Sequence, residues 1–179
     1  MKSQTKQERE EDILRKRSLE LARVGVGNMD SEEKGLFVVR FLLSPEIYCI
    51  ESRFVQEVLP LAEMAVIPGT PSFLPGVINC RGRIFPVIDP KKFFNLPEKG
   101  ITQFNKVILI DYPPVRFGLI SDAIEGTAFI PFQHIAPPPQ GLSGAGSDFI
   151  RGVGPDGSII LDGEELVNSS RILVNQKSS

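Results

Sequence analysis

From Leu36 onward the chain alternates short stretches rich in Val, Ile and Phe, such as "LFVVRFLL" and "KVILIDY", with breaks of Gly, Pro, Asn and Asp about every ten residues. That texture predicts an all-β barrel or sandwich. Strands are expected at about 36–43, 46–51, 54–60, 76–80, 83–88, 106–112, 115–121, 123–130, 149–153 and 158–162. Ser44-Pro45 and Pro113-Pro114 are turns, because proline cannot donate into a ladder. Ahead of this region, Glu8 to Val24 predicts one helix. Its acids (Glu8, Glu10, Glu11, Asp12) precede its bases (Arg15, Lys16, Arg17, Arg23), the order a helix dipole favours. Ile13, Leu14, Leu21 and Ala22 form only a narrow apolar seam, as in a lightly docked surface helix, and "GVGNMDSEE" reads as a linker.

The pattern also repeats. "SPEIYCIESRFVQEV" (44–58) and "PPVRFGLISDAIEGT" (113–127) share a turn proline, an aromatic, a strand, a polar break and a second strand, at a constant offset of 69. "GVINCRGRIFPVIDPKKFF" (76–94) parallels "GVGPDGSIILDGEELV" (152–167), with the offset drifting from 76 to 73 through one loop. Two halves of one β design predict two small barrels side by side. The first is expected mainly over 36–97 and the second mainly over 106–162, within a domain of 34–174 flanked by an extension (1–33) and a tail (175–179). "PFQHIAPPPQGLSGAGSD" (131–148) is expected to be a long loop, extended at its prolines.

Composition narrows the function classes. A chain of 179 residues, 41% hydrophobic and 23% charged, fits one folded unit. With 20 basic and 22 acidic residues the net charge is −2, which leaves no electrostatic footprint for nucleic acid. No run approaches the roughly 20 apolar residues of a membrane span, and the charged N-terminus lacks a signal core, so a cytoplasmic location is expected. Cys49 and Cys80 lie singly in apolar runs and read as small buried hydrophobes, not as a disulfide framework or metal site.

Candidate chemistry is sparse. His134 is the single histidine, and no GxSxG, Walker A, HExxH or GxGxxG spacing occurs. Asp89, Asp162 and His134 could make an acid–base site only by converging in one pocket. The two aspartates stand where helix caps stand: "DPK" sets Asp89 before a proline, and "DGEE" sets Asp162 three residues before Glu165. Arg81 sits beside Gly82 at a strand-turn-strand tip, equivalent to Asp156-Gly157 in the other half. Either it is a solvated turn residue, or its guanidinium grips a carboxylate or carbonyl from a rigid tip. Arg83, on the following strand, is expected to face outward.

"YCIESRFVQEVL", "VIPGTPSFLPGVINCRGRIFPVIDPKKFFNLP", "VRFGLISDAIEG" and "FIRGVGPDGSIILDGEELV" together resemble the CheW family of bacterial chemotaxis coupling proteins, in order from about Leu36 to Val174. The block G-V-I-N-x-R-G-x-x-x-P-V-I-D carries most of the likeness. The resemblance implies a mainly β fold of two intertwined, SH3-like five-stranded barrels. It also implies a non-enzymatic adaptor without cofactor or metal, which joins the cytoplasmic hairpin of chemoreceptors to the regulatory domain of a CheA-type histidine autokinase. An equivalent adaptor of a pilus-linked pathway fits the same motifs. Carried onto matching positions, the partner-binding residues are Val55, Gln56, Glu57, Gly76, Ile78, Asn79, Arg81, Gly82 and Val107. Arg81 and Glu57 are expected to lie together as a polar rim, and Val107 to line an apolar groove. Cys80 stands where leucine is usual, and Thr127 where an aliphatic groove residue is common.

Overall fold

The computed structural model describes residues 34–98, 100–140 and 146–173. The helix expected at 8–24 lies outside them. The chain divides between Lys34 and Gly35, and the fold is that of the unit beginning at Gly35. Ten strands are described there: β1 (Gly35–Leu43), β2 (Glu46–Glu51), β3 (Val55–Pro60), β4 (Gly76–Cys80), β5 (Arg83–Ile88), β6 (Lys106–Tyr112), β7 (Val115–Ser121), β8 (Ala123–Pro131), β9 (Ile150–Val153) and β10 (Ile159–Leu161). Three short helices are α1 (Pro90–Phe93), α2 (Gly163–Asn168) and α3 (Ser170–Leu173). Every expected strand is present, its ends shifted by a residue at most. The two hairpin turns with proline, Ser44-Pro45 and Pro113-Pro114, both have cis peptides.

The strands form two curled five-stranded sheets, ordered β8-β1-β2-β10-β9 and β3-β6-β7-β5-β4. Matching β1–β5 to β6–β10 turns one order into the other, so the repeat is structural. Each sheet contains a parallel contact at the matching place, β10 beside β2 and β5 beside β7. The expected barrel boundaries are corrected by this topology. The first barrel is not built mainly from 36–97: it takes β1 and β2 from the first half and β8, β9 and β10 from the second. The other barrel takes β3, β4 and β5 from the first half and adds β6 and β7. The crossovers lie at a 3-10 turn over Ser52–Phe54 and at Asp122, between β7 and β8.

Exchange explains why the hairpin strands are apolar almost throughout. Leu36 and Val38 of β1 face the interior of the first barrel with Cys49, Ile130 and Ile160. Val39, Phe41 and Leu43 of the same strand face a core shared by both sheets, which also holds Phe54, Phe93, Ile108, Ile110 and Phe117. In β6, Val107 and Leu109 face the second barrel's interior with Ile78, Phe85 and Val87, while Ile108 and Ile110 turn to the shared core. Strands buried on both faces lose the alternation of a half-exposed strand. The seam is therefore a third hydrophobic core, not a surface contact. Within the second barrel, a Cβ on Gly118 would lie 2.5 Å from Cγ1 of Val107, so only glycine admits this close approach.

Both expected caps are present. Asp89 Oδ1 accepts from the Lys91 N–H at 3.0 Å and Asp162 Oδ1 from the Glu165 N–H at 3.2 Å. Such caps stabilise a helix start by about 1 kcal/mol. The crossovers are clamped by matching ion pairs of opposite sign. Lys91 Nζ lies 2.7 Å from Asp122 Oδ2, and at equivalent positions Arg53 Nη2 lies 3.0 Å from Glu164 Oε1. The Lys91–Asp122 pair is largely buried, with side chains 8% and 23% exposed.

Candidate partner-binding site

The β4–β5 hairpin turns in two residues, because Cys80 pairs with Arg83 and leaves Arg81-Gly82 between them. Both turn residues have positive φ, 53° at Arg81 and 79° at Gly82. Tight hairpins need that conformation and usually place Asn, Asp or Gly there. An arginine in it costs on the order of 1 kcal/mol. Asn79 Oδ1 secures the turn by accepting from the Gly82 N–H at 2.9 Å.

Glu57 reaches this tip from β3, at the far edge of the same sheet. Curling brings the edges together. Arg81 Nη2 donates to Glu57 Oε2 at 3.0 Å, and the Cys80 thiol lies 3.6 Å from Glu57 Oε1. A backbone bridge between Ala65 and Val77 closes the same gap further along. The arginine side chain is 76% exposed and the glutamate 20%, so the acid is seated in the wall while the guanidinium stands out from it. The expected proximity of Arg81 and Glu57 is thus observed.

The remaining expected site residues divide by burial. Gln56, Asn79 and Gly82 are exposed and Val55 is half-buried, packed on the shared core. Gly76 and Ile78 are buried, Ile78 in the second barrel's interior. Val107 is corrected: fully buried in that interior, it shapes the wall from behind and does not line a groove. Arg83 faces outward as expected and is exposed, and its Nη1 also lies 2.7 Å from Asp111 Oδ2, an ion pair with the neighbouring hairpin.

The first barrel carries a different tip. Asp156, equivalent to Arg81, accepts from Ser158 Oγ at 2.7 Å and pairs with Arg40 Nη2 at 2.7 Å. These contacts, the Ser158 hydroxyl first and then the Arg40 guanidinium, hold its carboxyl down at about 2. A depressed carboxyl contributes stability that is complete above its unfolded value of about 4 and disappears as pH falls toward the folded value. Asp156→Asn is therefore expected to flatten the loss of stability between roughly pH 4 and 2, measured by urea unfolding at stepped pH. An unchanged acid slope would show that the contacts do not act on folding.

Sequence reasoning missed a charge network at the end of β2, in the other sheet. Glu51, buried at the end of β2, accepts from Arg151 Nη1 at 2.6 Å and from Arg53 Nε at 2.8 Å, and Arg53 continues to Glu164. No local pattern marks it, because Glu51 and Arg151 are 100 residues apart. The acid–base trio does not form. Asp89 and Asp162 cap helices that follow β5 and β10, in different barrels, and His134 is exposed on a 3-10 turn after β8. Among the described residues no three His, Cys, Asp or Glu side chains cluster to hold a metal. A small cavity of about 10 Å³, lined by Lys91, Asn105 and Asp122 together with Leu43, Ile101 and Ile120, has room for a single water.

The fold class is a strand-exchanged double barrel that carries an exposed, ion-paired arginine at a hairpin tip. The CheW-like domain family model matches residues 38–171. The chain belongs to this family. It is 28% identical to the chemotaxis protein CheW of Treponema pallidum, over 75% of this chain and 84% of that one. It is 30% identical to protein FrzA of Myxococcus xanthus, over 69% and 76%. The crystal structure of the scaffolding protein TtCheW from Thermoanaerobacter tengcongensis superposes with a TM-score of 0.67 at 31% identity, covering 77% of this chain and 96% of that one. A scaffold role in chemotaxis is the family's.

Proposed function

We propose that this chain is a cytoplasmic, non-enzymatic adaptor that couples the cytoplasmic hairpins of chemoreceptors to the regulatory domain of a CheA-type histidine autokinase. The observation that carries the reading is Arg81. It holds a left-handed backbone that glycine would hold more cheaply, and it is mostly exposed although paired with Glu57. A conformational cost at a surface tip without a folding return points to recognition. In this reading Arg81, Asn79, Gly82 and Glu57 form the polar rim that meets the kinase domain. The start of β3, Val55 and Gln56, presents the seam between barrels to a receptor helix, the apolar-groove mode of helix recognition. Gly76, Ile78 and Val107 keep the hairpin and its wall in shape.

Titration calorimetry of this chain against a kinase regulatory domain and a receptor hairpin fragment from the same organism tests the proposal. Saturable binding to each, and a ternary complex when all three are mixed, is the expected result. Absence of heat with both partners at high micromolar concentration would refute it.

A further inference from the structure

The apolar rows that fill the second barrel end in charge. Side chains alternate along a strand, so every second residue points into the barrel, and at the end that carries the Arg81 tip each row finishes on a polar residue. Leu59 is succeeded by Glu57 in β3, Leu109 by Asp111 in β6, Gly118 by Arg116 in β7 and Phe85 by Arg83 in β5. The β4 row finishes on Cys80, beside the tip. Pairing of Asp111 with Arg116 and of Cys80 with Arg83 gathers these residues at one end of the barrel, their heads toward solvent.

The ion pairs around that end are unequal. Glu57 serves Arg81. Asp111 serves two guanidiniums: Oδ2 lies 2.7 Å from Arg83 Nη1, and Oδ1 lies 3.7 Å from Arg116 Nε. Among the described residues, three arginines of this end thus share two carboxylates. The Asp111 side chain is 11% exposed, and those of Arg83 and Arg116 are 42% and 38% exposed, so the acid lies beneath and the cations reach water. The first barrel does not repeat the arrangement. Its tip is itself the acid, Asp156, paired with Arg40.

Charge selects the occupant. Two guanidiniums held at one carboxylate repel each other, and a second anion placed between them relieves the repulsion. A carboxylate fits best, because its two oxygens match the forked N–H groups of arginine. Arg81 protrudes from the same end, so a partner surface that meets the tip also meets Arg83 and Arg116. We propose that this end of the second barrel recognises an aspartate or glutamate of the kinase regulatory domain, received between Arg83 and Arg116 with Arg81 alongside. Asp111 positions the two guanidiniums from below and, through its own charge, limits the affinity. The inference rests on the regulatory domain being a partner, and it names the chemistry by which that partner is selected.

The test titrates the full chain, Arg116→Gln and Asp111→Asn against the kinase regulatory domain and, separately, against the receptor hairpin fragment, each at low and high salt. Arg116→Gln keeps the Arg83–Asp111 pair and removes one positive charge. It is expected to weaken binding of the regulatory domain about tenfold and to flatten its salt dependence. Asp111→Asn removes the competing carboxylate and is expected to strengthen that binding about threefold. The opposite signs separate recognition from a structural ion pair, whose loss through either residue would act in one direction. Hairpin affinity stays within about twofold of the parent in both. Regulatory-domain affinity within about twofold for both variants overturns the inference while leaving the coupling role intact. So does equal weakening by both. Self-association of the parent in sedimentation velocity, abolished by Arg116→Gln and by Asp156→Asn alike, would seat a second copy's Asp156 tip here and overturns it too. Failure of the unaltered chain to bind the regulatory domain sinks the kinase arm of the coupling reading, and this inference with it. Thermal unfolding checks each fold, and Arg83→Gln takes the place of Arg116→Gln if the latter does not fold.

Discussion

Asp122→Ala lowers the unfolding free energy by about 3 kcal/mol, the scale for breaking a largely buried ion pair. The carboxylate stands at the crossover from the second barrel to the first. It accepts from Lys91 Nζ, from the Ser44 N–H at 2.8 Å and from Asn105 Nδ2 at 3.2 Å. Alanine leaves the Lys91 ammonium without its counter-charge, in a place water reaches poorly. Much of the loss is that stranded charge. Lys91→Met/Asp122→Leu is accordingly expected to recover most of the stability, since an apolar pair of similar volume is often neutral. Equilibrium urea unfolding of the parent and both variants reads this directly. A double variant no better than Asp122→Ala would mean that Ser44 and Asn105, not Lys91, carry the effect.

The same carboxyl sets an acid limit. Burial alone would raise its value, but the hydrogen bonds from Lys91 and Ser44 outweigh burial and hold it below the ordinary range. Its stabilisation is full above the unfolded value of about 4 and vanishes as pH falls through the lower folded value. The Asp122→Ala penalty should therefore shrink below about pH 4. A penalty constant with pH would contradict the assignment.

Arg81→Glu is expected to weaken binding of the kinase regulatory domain by about a hundredfold, within the range for reversing one partner of an interfacial charge contact. Stability should change by less than about 1 kcal/mol, because the pair with Glu57 is exposed. Arg81→Gly separates the two roles. Glycine relieves the left-handed backbone and is expected to stabilise the fold by about 0.5 kcal/mol or more, yet it removes the guanidinium. Calorimetry and thermal unfolding of the same sample should show binding lost and the melting temperature held or raised. Arg81→Gly with full affinity would make Arg81 a turn residue and nothing more.

Adding Glu57→Arg to Arg81→Glu restores an ion pair of reversed polarity. If the tip arginine itself meets the partner, binding stays lost. Recovered binding would mean that only closure of the barrel edges matters.

Much of this molecule is determined locally. Strand ends are marked by Pro, Gly and Asp in turns whose geometry depends on a few neighbouring residues, which is why "GVINCRGRIFPVID" announces a hairpin and the cap that follows it. Asp89 and Asp162 are legible for the same reason: a cap needs only its own next three residues. The repeat is legible too, because equal spacing of apolar runs survives divergence of the side chains. Pairing across the chain is not local. β3 can continue beside β2 or cross to β6 with the same alternation of side chains, and only the joint burial of Phe41, Phe54, Ile108 and Phe117 in one shared core decides for exchange. The resemblance puts Val107 in a groove wall; β6 is apolar on both faces, and sequence alone does not say which face meets the barrel interior. The Glu51–Arg151 and Lys91–Asp122 contacts likewise exist only once the barrels close, since the value of a buried charge depends on what folding places opposite it.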